Sequence, residues 1–128
     1  MELRRKVYVI DDDPILQRIM KKMLGNFDSD VDVHMFLHGE EAIEQLRQDV
    51  ELPDLIFLDI NMPIMDAWEF IENYQKLGIE IVPIYILSSS IDYRDIDKAE
   101  NIELIKDYLV KPLKKDRLIE ICKRELNS

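Results

Sequence analysis

The stretch Val7-Tyr8-Val9-Ile10-Asp11-Asp12-Asp13-Pro14, "VYVIDDDP", runs four apolar residues straight into three acids and a proline. Four consecutive apolar residues, two of them valine and one isoleucine, read as a strand covered on both faces, the habit of a parallel sheet. Asp13-Pro14 reads as a helix start, with Asp as N-cap and Pro at the first helical position. Capping uses Asp13 and leaves Asp11 and Asp12 crowded at the carboxyl end of the strand, where like charges repel. That unspent charge is the first functional signal in the chain.

Working outward, the strand-then-helix pattern repeats. Strands are expected at Val7–Ile10, Val31–Phe36, Leu55–Leu58, Ile84–Leu87 and Tyr108–Val110, and all but the second are continuously apolar. Helical spacing links Leu16/Ile19/Met20/Met23/Leu24/Phe27, then Ala42/Ile43/Leu46, then Trp68/Phe70/Ile71/Tyr74, and lastly Leu118/Ile121/Cys122/Leu126. A fourth helix around Ile96 and Ala99 is heavily charged and weakly amphipathic. The sum is βαβαβαβαβα, an α/β fold with a doubly wound five-stranded parallel sheet flanked by five helices. Of the three glycines, Gly25 and Gly78 are expected as helix C′ residues and Gly39 before the second helix. No Gly-rich phosphate cradle can be assembled from them, which excludes the P-loop and dinucleotide-binding motifs.

At 128 residues the chain is the size of one domain, residues 1–128, with 47% hydrophobic composition suited to an ordinary core. A formal charge of −10 argues against direct binding of nucleic acid or an anionic membrane. Cys122 is the only cysteine, so no internal disulfide forms, and its place on an apolar helix face makes it core. The apolar run near the N-terminus is too short for a signal peptide, and a cytoplasmic location is the expectation.

The third strand also ends in an acid, Asp59 of "LIFLDINMP", and two further strand ends supply Ser88 ("IYILSSS") and Lys111 ("DYLVKPL"). Ligands of open parallel sheets bind beyond the strands' carboxyl ends, at the point where the winding reverses. If the first and third strands are neighbours, Asp11, Asp12 and Asp59 converge. Two carboxylates about 4 Å apart repel by roughly 4 kcal/mol at an effective dielectric near 20. One lysine cannot neutralise three acids, whereas a hard divalent cation such as Mg²⁺ can. The set reads as a phosphoryl-transfer site, with Asp59 as nucleophile, Mg²⁺ and Lys111 stabilising phosphoryl oxygens, and Ser88 donating to one of them.

"VYVIDDDP", "LIFLDINMPIMDAWEF", "YILSSS" and "DYLVKP" together resemble the receiver domain of bacterial two-component response regulators, in order and across essentially the whole chain. The resemblance implies the flavodoxin-like strand order 2-1-3-4-5, which chemotaxis receivers share. It implies Asp59 as phosphoacceptor, Asp12 as a direct Mg²⁺ ligand with Asp11 assisting, and the backbone carbonyl of Asn61 as a further ligand. Ser88 and Lys111 become the groups that sense the phosphoryl, and Tyr108 the aromatic that turns inward with Ser88 on activation. Asn61 and Ser90 sit where the family tunes phosphoryl lifetime, and Lys111-Pro112 is often cis. The family usually has Gly where this chain has Ala67, and Ala tolerates positive φ poorly, so a re-aimed loop is expected there.

The resemblance further implies a histidine kinase or histidine phosphotransfer protein as donor and a downstream protein partner reading the face of helix four, strand five and helix five. The unit would catalyse only its own phosphorylation and dephosphorylation, as a monomer or a phosphorylation-dependent dimer. On a helical wheel Ile15 falls about 100° from Leu16 and off the core stripe, which makes it a candidate apolar contact for the donor. A competing reading is a haloacid-dehalogenase-like aspartyl phosphatase using Asp11 of Asp11-x-Asp13, although the paired acids expected late in such chains are missing.

Overall fold

The structure, a computed structural model, describes residues 5–48 and 51–126. Ten elements alternate as the hydrophobic pattern requires: β1 Lys6–Ile10, α1 Pro14–Phe27, β2 Asp32–Phe36, α2 Gly39–Gln48, β3 Leu55–Asp59, α3 Ala67–Lys76, β4 Ile84–Ser88, α4 Tyr93–Glu100, β5 Ile105–Val110 and α5 Lys115–Leu126. All strand pairs are parallel, in the order β2-β1-β3-β4-β5.

The continuous apolar runs are explained by two cores. Tyr8 and Ile10 of β1, Ile56 and Leu58 of β3, and Ile84 and Ile86 of β4 pack with residues of α2, α3 and α4. The alternate residues Val7, Val9, Leu55, Phe57, Tyr85 and Leu87 pack on the opposite face with Met20 and Leu24 of α1 and Leu118, Ile121 and Cys122 of α5. Each fully buried aliphatic or aromatic side chain contributes about 1.5–3 kcal/mol, so the three central strands have no freedom to slip register.

Register is what builds a site. Ile10 pairs with Leu58, so one step further brings Asp11 beside Asp59. Asp59 pairs with Leu87, and Ser88 pairs with Val110, the residue before Lys111. The polar residue terminating each of four strands therefore lies in one row across the top of the sheet.

Several expectations shift. Gly25 does not end α1: the helix continues to Phe27, which packs against the core, and closes where the Asp28 N–H donates to the Leu24 carbonyl. Gly39 is the first residue of α2 rather than its predecessor, and a Cβ there would lie 3.2 Å from the Met65 sulfur. Gly78 does take positive φ, at 66°, directly after Leu77, the C-cap of α3. β5 begins at Ile105, three residues before the apolar run; it is an edge strand, and a register irregularity opposite Ile84 and Tyr85 leaves the adjacent Lys106 and Asp107 both exposed. In α1, Ile19 is not core but 50% exposed, and Gln17 is buried in its place. Ile15 is 66% exposed, as the wheel requires.

Candidate functional site

Asp13 caps α1 by accepting from the Ile15 N–H at 2.9 Å, and Pro14 opens the helix. The turn leaves Asp12 exposed and directs Asp11 inward, where it is fully buried. One Asp11 oxygen, Oδ1, accepts from the Asp13 N–H at 2.9 Å. The other, Oδ2, lies 2.8 Å from Lys111 Nζ as an ion pair.

Asp59 ends β3 and is 5% exposed. Its Oδ1 accepts from Lys111 Nζ at 3.3 Å. Burial, then the charge of Asp11, raises the Asp59 carboxyl from 3.8 to about 6, against the opposing pull of Lys111. Burial works against the Lys111 charge, but its contacts with Asp11 and then Asp59 outweigh burial and hold the ammonium above the usual lysine range. One cation thus serves two buried carboxylates, with a third acid beside them. Asp11, Asp12 and Asp59 each offer an oxygen within 4.8 Å of the others. An all-oxygen donor set of three carboxylates, two units of negative charge in excess of Lys111, fits a hard dication such as Mg²⁺.

Ser88 is buried at the end of β4, and its Oγ donates to the Ser90 carbonyl at 2.9 Å while accepting from the Ser90 N–H at 3.2 Å. The Tyr108 hydroxyl donates to the same Ser90 carbonyl at 3.2 Å. Ser88 and Tyr108, which the resemblance pairs as a switch, share one acceptor. Lys111-Pro112 is cis. Asn61 is exposed two residues beyond Asp59.

Gln17 carries a role that the sequence motifs do not announce. Its Nε2 donates to the carbonyls of Asp11 at 2.9 Å and Phe36 at 2.7 Å, tying α1 to the ends of β1 and β2. A signal for it does exist, because Gln17 falls on the same wheel face as Met20 and Leu24. Ala67 is also not where the backbone is special: it is the buried first residue of α3, and positive φ falls instead on Ile64, at 70°. A β-branched residue in that region costs about 1–3 kcal/mol. The phosphatase reading finds no support. Asp11 is buried with Oδ1 occupied and Oδ2 against Lys111, and Asp13 is spent on capping. His34 contacts Asp32 at 2.9 Å on β2, a structural role, and Cys122 is buried with its thiol pushed up to about 11 by desolvation.

Comparison with known proteins matches a family described as "Response regulator receiver domain" over residues 7–123. The transcription factor SKN7 of Chaetomium thermophilum is 33% identical over 121 residues, which is 94% of this chain and 15% of that protein. A two component response regulator from Cytophaga hutchinsonii superposes with a TM-score of 0.85 at 28% identity, covering 99% of this chain and 100% of that one. The phosphorylated cyanobacterial phytochrome response regulator RcpA superposes with a TM-score of 0.82 at 25% identity, covering 97% and 95%. The chain spans 15%, 41% and 48% of the length of three curated relatives it matches. No helix among the described residues is long and apolar enough to cross a membrane.

Proposed function

The chain belongs to the response regulator receiver domain family of two-component systems, and we propose that it works as a single cytoplasmic receiver unit whose phosphoacceptor is Asp59. The observation that carries this reading is the buried Asp59 carboxylate, held by Lys111 at 3.3 Å and flanked by two further acids that together are short of positive charge. Such a group is costly as an isolated anion and suited to a site where a cation and Lys111 together offset its charge and that of an incoming phosphoryl.

An Asp59 oxygen attacks the phosphorus of a phosphohistidine on a histidine kinase or phosphotransfer protein. The new O–P bond forms as the P–N bond breaks, and the electron pair returns to the donor's imidazole nitrogen. Mg²⁺, for which Asp11, Asp12, Asp59 and the Asn61 carbonyl are the proposed ligands, supplies neutralising charge for the phosphoryl oxygens when bound. Lys111, already between Asp11 and Asp59, takes the charge of a second phosphoryl oxygen without moving far. Asp11 is the more deeply buried of the two carboxylates, with Oδ1 held by the Asp13 N–H and Oδ2 paired to Lys111.

Ser88 then exchanges the Ser90 carbonyl for a phosphoryl oxygen as its acceptor. Tyr108, which shares that carbonyl, loses its companion and resets its position on β5. A hollow of about 230 Å³ between α4 and β5, lined by Ile91, Ile96, Ala99, Ile105 and Tyr108, lies where this change is read. Within α4 only Ala99 is buried, so the helix is held lightly enough for a phosphoryl-driven two-state shift. The α4–β5–α5 face is the proposed surface for a downstream protein, which includes the case of onward relay to a histidine.

The test is intact-mass analysis after incubation with Mg²⁺ and phosphoramidate, followed by mapping of the modified residue. One phosphoryl group on Asp59, absent from Asp59→Asn, is expected. Labelling of another aspartate, or full labelling of Asp59→Asn, overturns the assignment.

A further inference from the structure

The buried stripe of α1 has one polar member. Gln17, Met20 and Leu24 are the buried residues of the helix, and Gln17 is 6% exposed. An apolar side chain there would meet the core with no amide to satisfy, so packing alone does not account for a glutamine. Its Nε2 carries two hydrogens and meets two acceptors, the Asp11 carbonyl at 2.9 Å and the Phe36 carbonyl at 2.7 Å.

What the amide holds is one particular peptide unit. The Asp11 carbonyl lies in the plane that runs from the Asp11 Cα to the Asp12 Cα, whose atoms move as one. Turning that plane swings both carboxylates relative to Asp59. The peptide before it is fixed already, because the Asp11 N–H donates to the Phe36 carbonyl at 3.0 Å. Beyond Ile10 the strand has ended, and Gln17 reaches back from the first turn of α1 to hold the next carbonyl. The anchor is firm: Phe36 closes β2, pairs in register with Ile10, and sets its ring 4.8 Å from that of fully buried Tyr8. The Gln17 N–H also donates to the Asp13 carbonyl at 3.1 Å, so one residue brackets the acidic turn from both sides. Asp12 is exposed, and no hydrogen bond holds its side chain among the described residues. Its place therefore depends on the peptides that flank it.

We propose that Gln17 is a positioning residue for the divalent cation. By holding the Asp11–Asp12 peptide against the end of β2, it sets the two carboxylates where they bind Mg²⁺ together with Asp59. This rests on Asp11 and Asp12 being metal ligands. Gln17 acts only through the backbone of its neighbours and touches neither the ion nor a reacting atom. Without its amide the peptide is free to turn, and part of the binding free energy goes into ordering the carboxylates. Lost supports around metal ligands weaken binding about 10–100-fold, and a support acting through backbone belongs at the lower end of that range.

The test measures Mg²⁺ affinity by calorimetry for wild type, Gln17→Met, Gln17→Asn, Asp12→Ala and Leu46→Ala. Methionine keeps the length of glutamine and has no donor, whereas asparagine keeps the amide one methylene short. Leu46, 1% exposed in the last turn of α2, is a control that loses packing without touching the acidic turn. Gln17→Met is expected to bind Mg²⁺ about tenfold more weakly, Gln17→Asn at least about threefold, and Leu46→Ala within about twofold of wild type. Phosphoramidate labelling supplies a split that a merely structural role would not give. In Gln17→Met the Mg²⁺ concentration for half-maximal rate rises by the same factor, while the rate at saturating Mg²⁺ stays within about threefold of wild type. Wild-type affinity in Gln17→Met overturns the proposal. So does an equal loss in Leu46→Ala, which assigns the effect to stability, or a lower saturating rate with an unchanged Mg²⁺ requirement. If Gln17→Met does not fold, Gln17→Asn decides by the same criteria. Wild-type affinity in Asp12→Ala refutes the ligand assignment itself, and this inference falls with it.

Discussion

Replacing Asp59, the proposed nucleophile, should make the metal-free protein more stable, and the gain should depend on pH. The folded Asp59 carboxyl titrates near 6 against 3.8 for the ordinary group, because burial and the Asp11 charge disfavour its ionised form. A group raised in the fold contributes stability that is fully present below the unfolded value and is lost as pH rises through the folded one. At about 1.4 kcal/mol per pKa unit, the ionised carboxylate costs the native state about 3 kcal/mol at pH 7.5 and about 0.5 kcal/mol at pH 4. Asp59→Asn removes that penalty, which is already net of the contact with Lys111 at 3.3 Å. Lys111 keeps Asp11 at 2.8 Å, so no bare buried cation is left. The expected gain in urea denaturation with a chelator present is about 3 kcal/mol at pH 7.5 and only about 0.5 kcal/mol at pH 4. Millimolar Mg²⁺ should shrink the difference, since ligand binding stabilises only the protein that holds the site intact. A variant no more stable than wild type at pH 7.5, or one with the same advantage at both pH values, would refute the electrostatic reasoning.

Three further outcomes are expected. Asp12→Ala, at an exposed position, should leave the urea midpoint nearly unchanged yet weaken Mg²⁺ binding by calorimetry at least tenfold and abolish labelling by phosphoramidate. Gln17→Leu should lower stability by about 1–3 kcal/mol in the same denaturation assay, because the Asp11 carbonyl is left without its buried donor while Phe36 keeps the Asp11 N–H. Ile15→Ala should slow phosphotransfer from the cognate donor several-fold while phosphoramidate labelling and stability hold, since the side chain is 66% exposed; normal transfer rates would remove it from the docking surface.

Much of the fold is legible because burial on both faces writes itself into sequence. Val7–Ile10, Leu55–Leu58 and Ile84–Leu87 are apolar at every position, and their strands are buried at each of them. The polar residue closing each run marks the top of the sheet, which is why Asp11, Asp59, Ser88 and Lys111 group together from the sequence. β5 reads too short because an edge strand is half wet and its first residues look like loop. Ile19 and Gln17 change places for a different reason: hydrophobicity stands in for burial only while the helix has no polar group to satisfy, and the Asp11 and Phe36 carbonyls need a donor. Gly25 signals an end that Phe27 overrides by packing. Ile64 runs against its own propensity, since a β-branched residue is the last expected at positive φ, and the family pattern points to Ala67 instead.

If three acids and one lysine form a charge-deficient hollow that takes a dication and a phosphoryl group together, both should be visible there at once. The most direct measurement is a crystal structure with Mg²⁺ and beryllium trifluoride, a stable mimic of the phosphoryl group. The expected result is the mimic bonded to an Asp59 oxygen, Mg²⁺ ligated by Asp12 and Asp59, Lys111 on a fluoride, and Ser88 turned away from the Ser90 carbonyl. Mimic and metal bound elsewhere, or Asp11, Asp12 and Asp59 splayed apart with Ser88 still on that carbonyl, would contradict it.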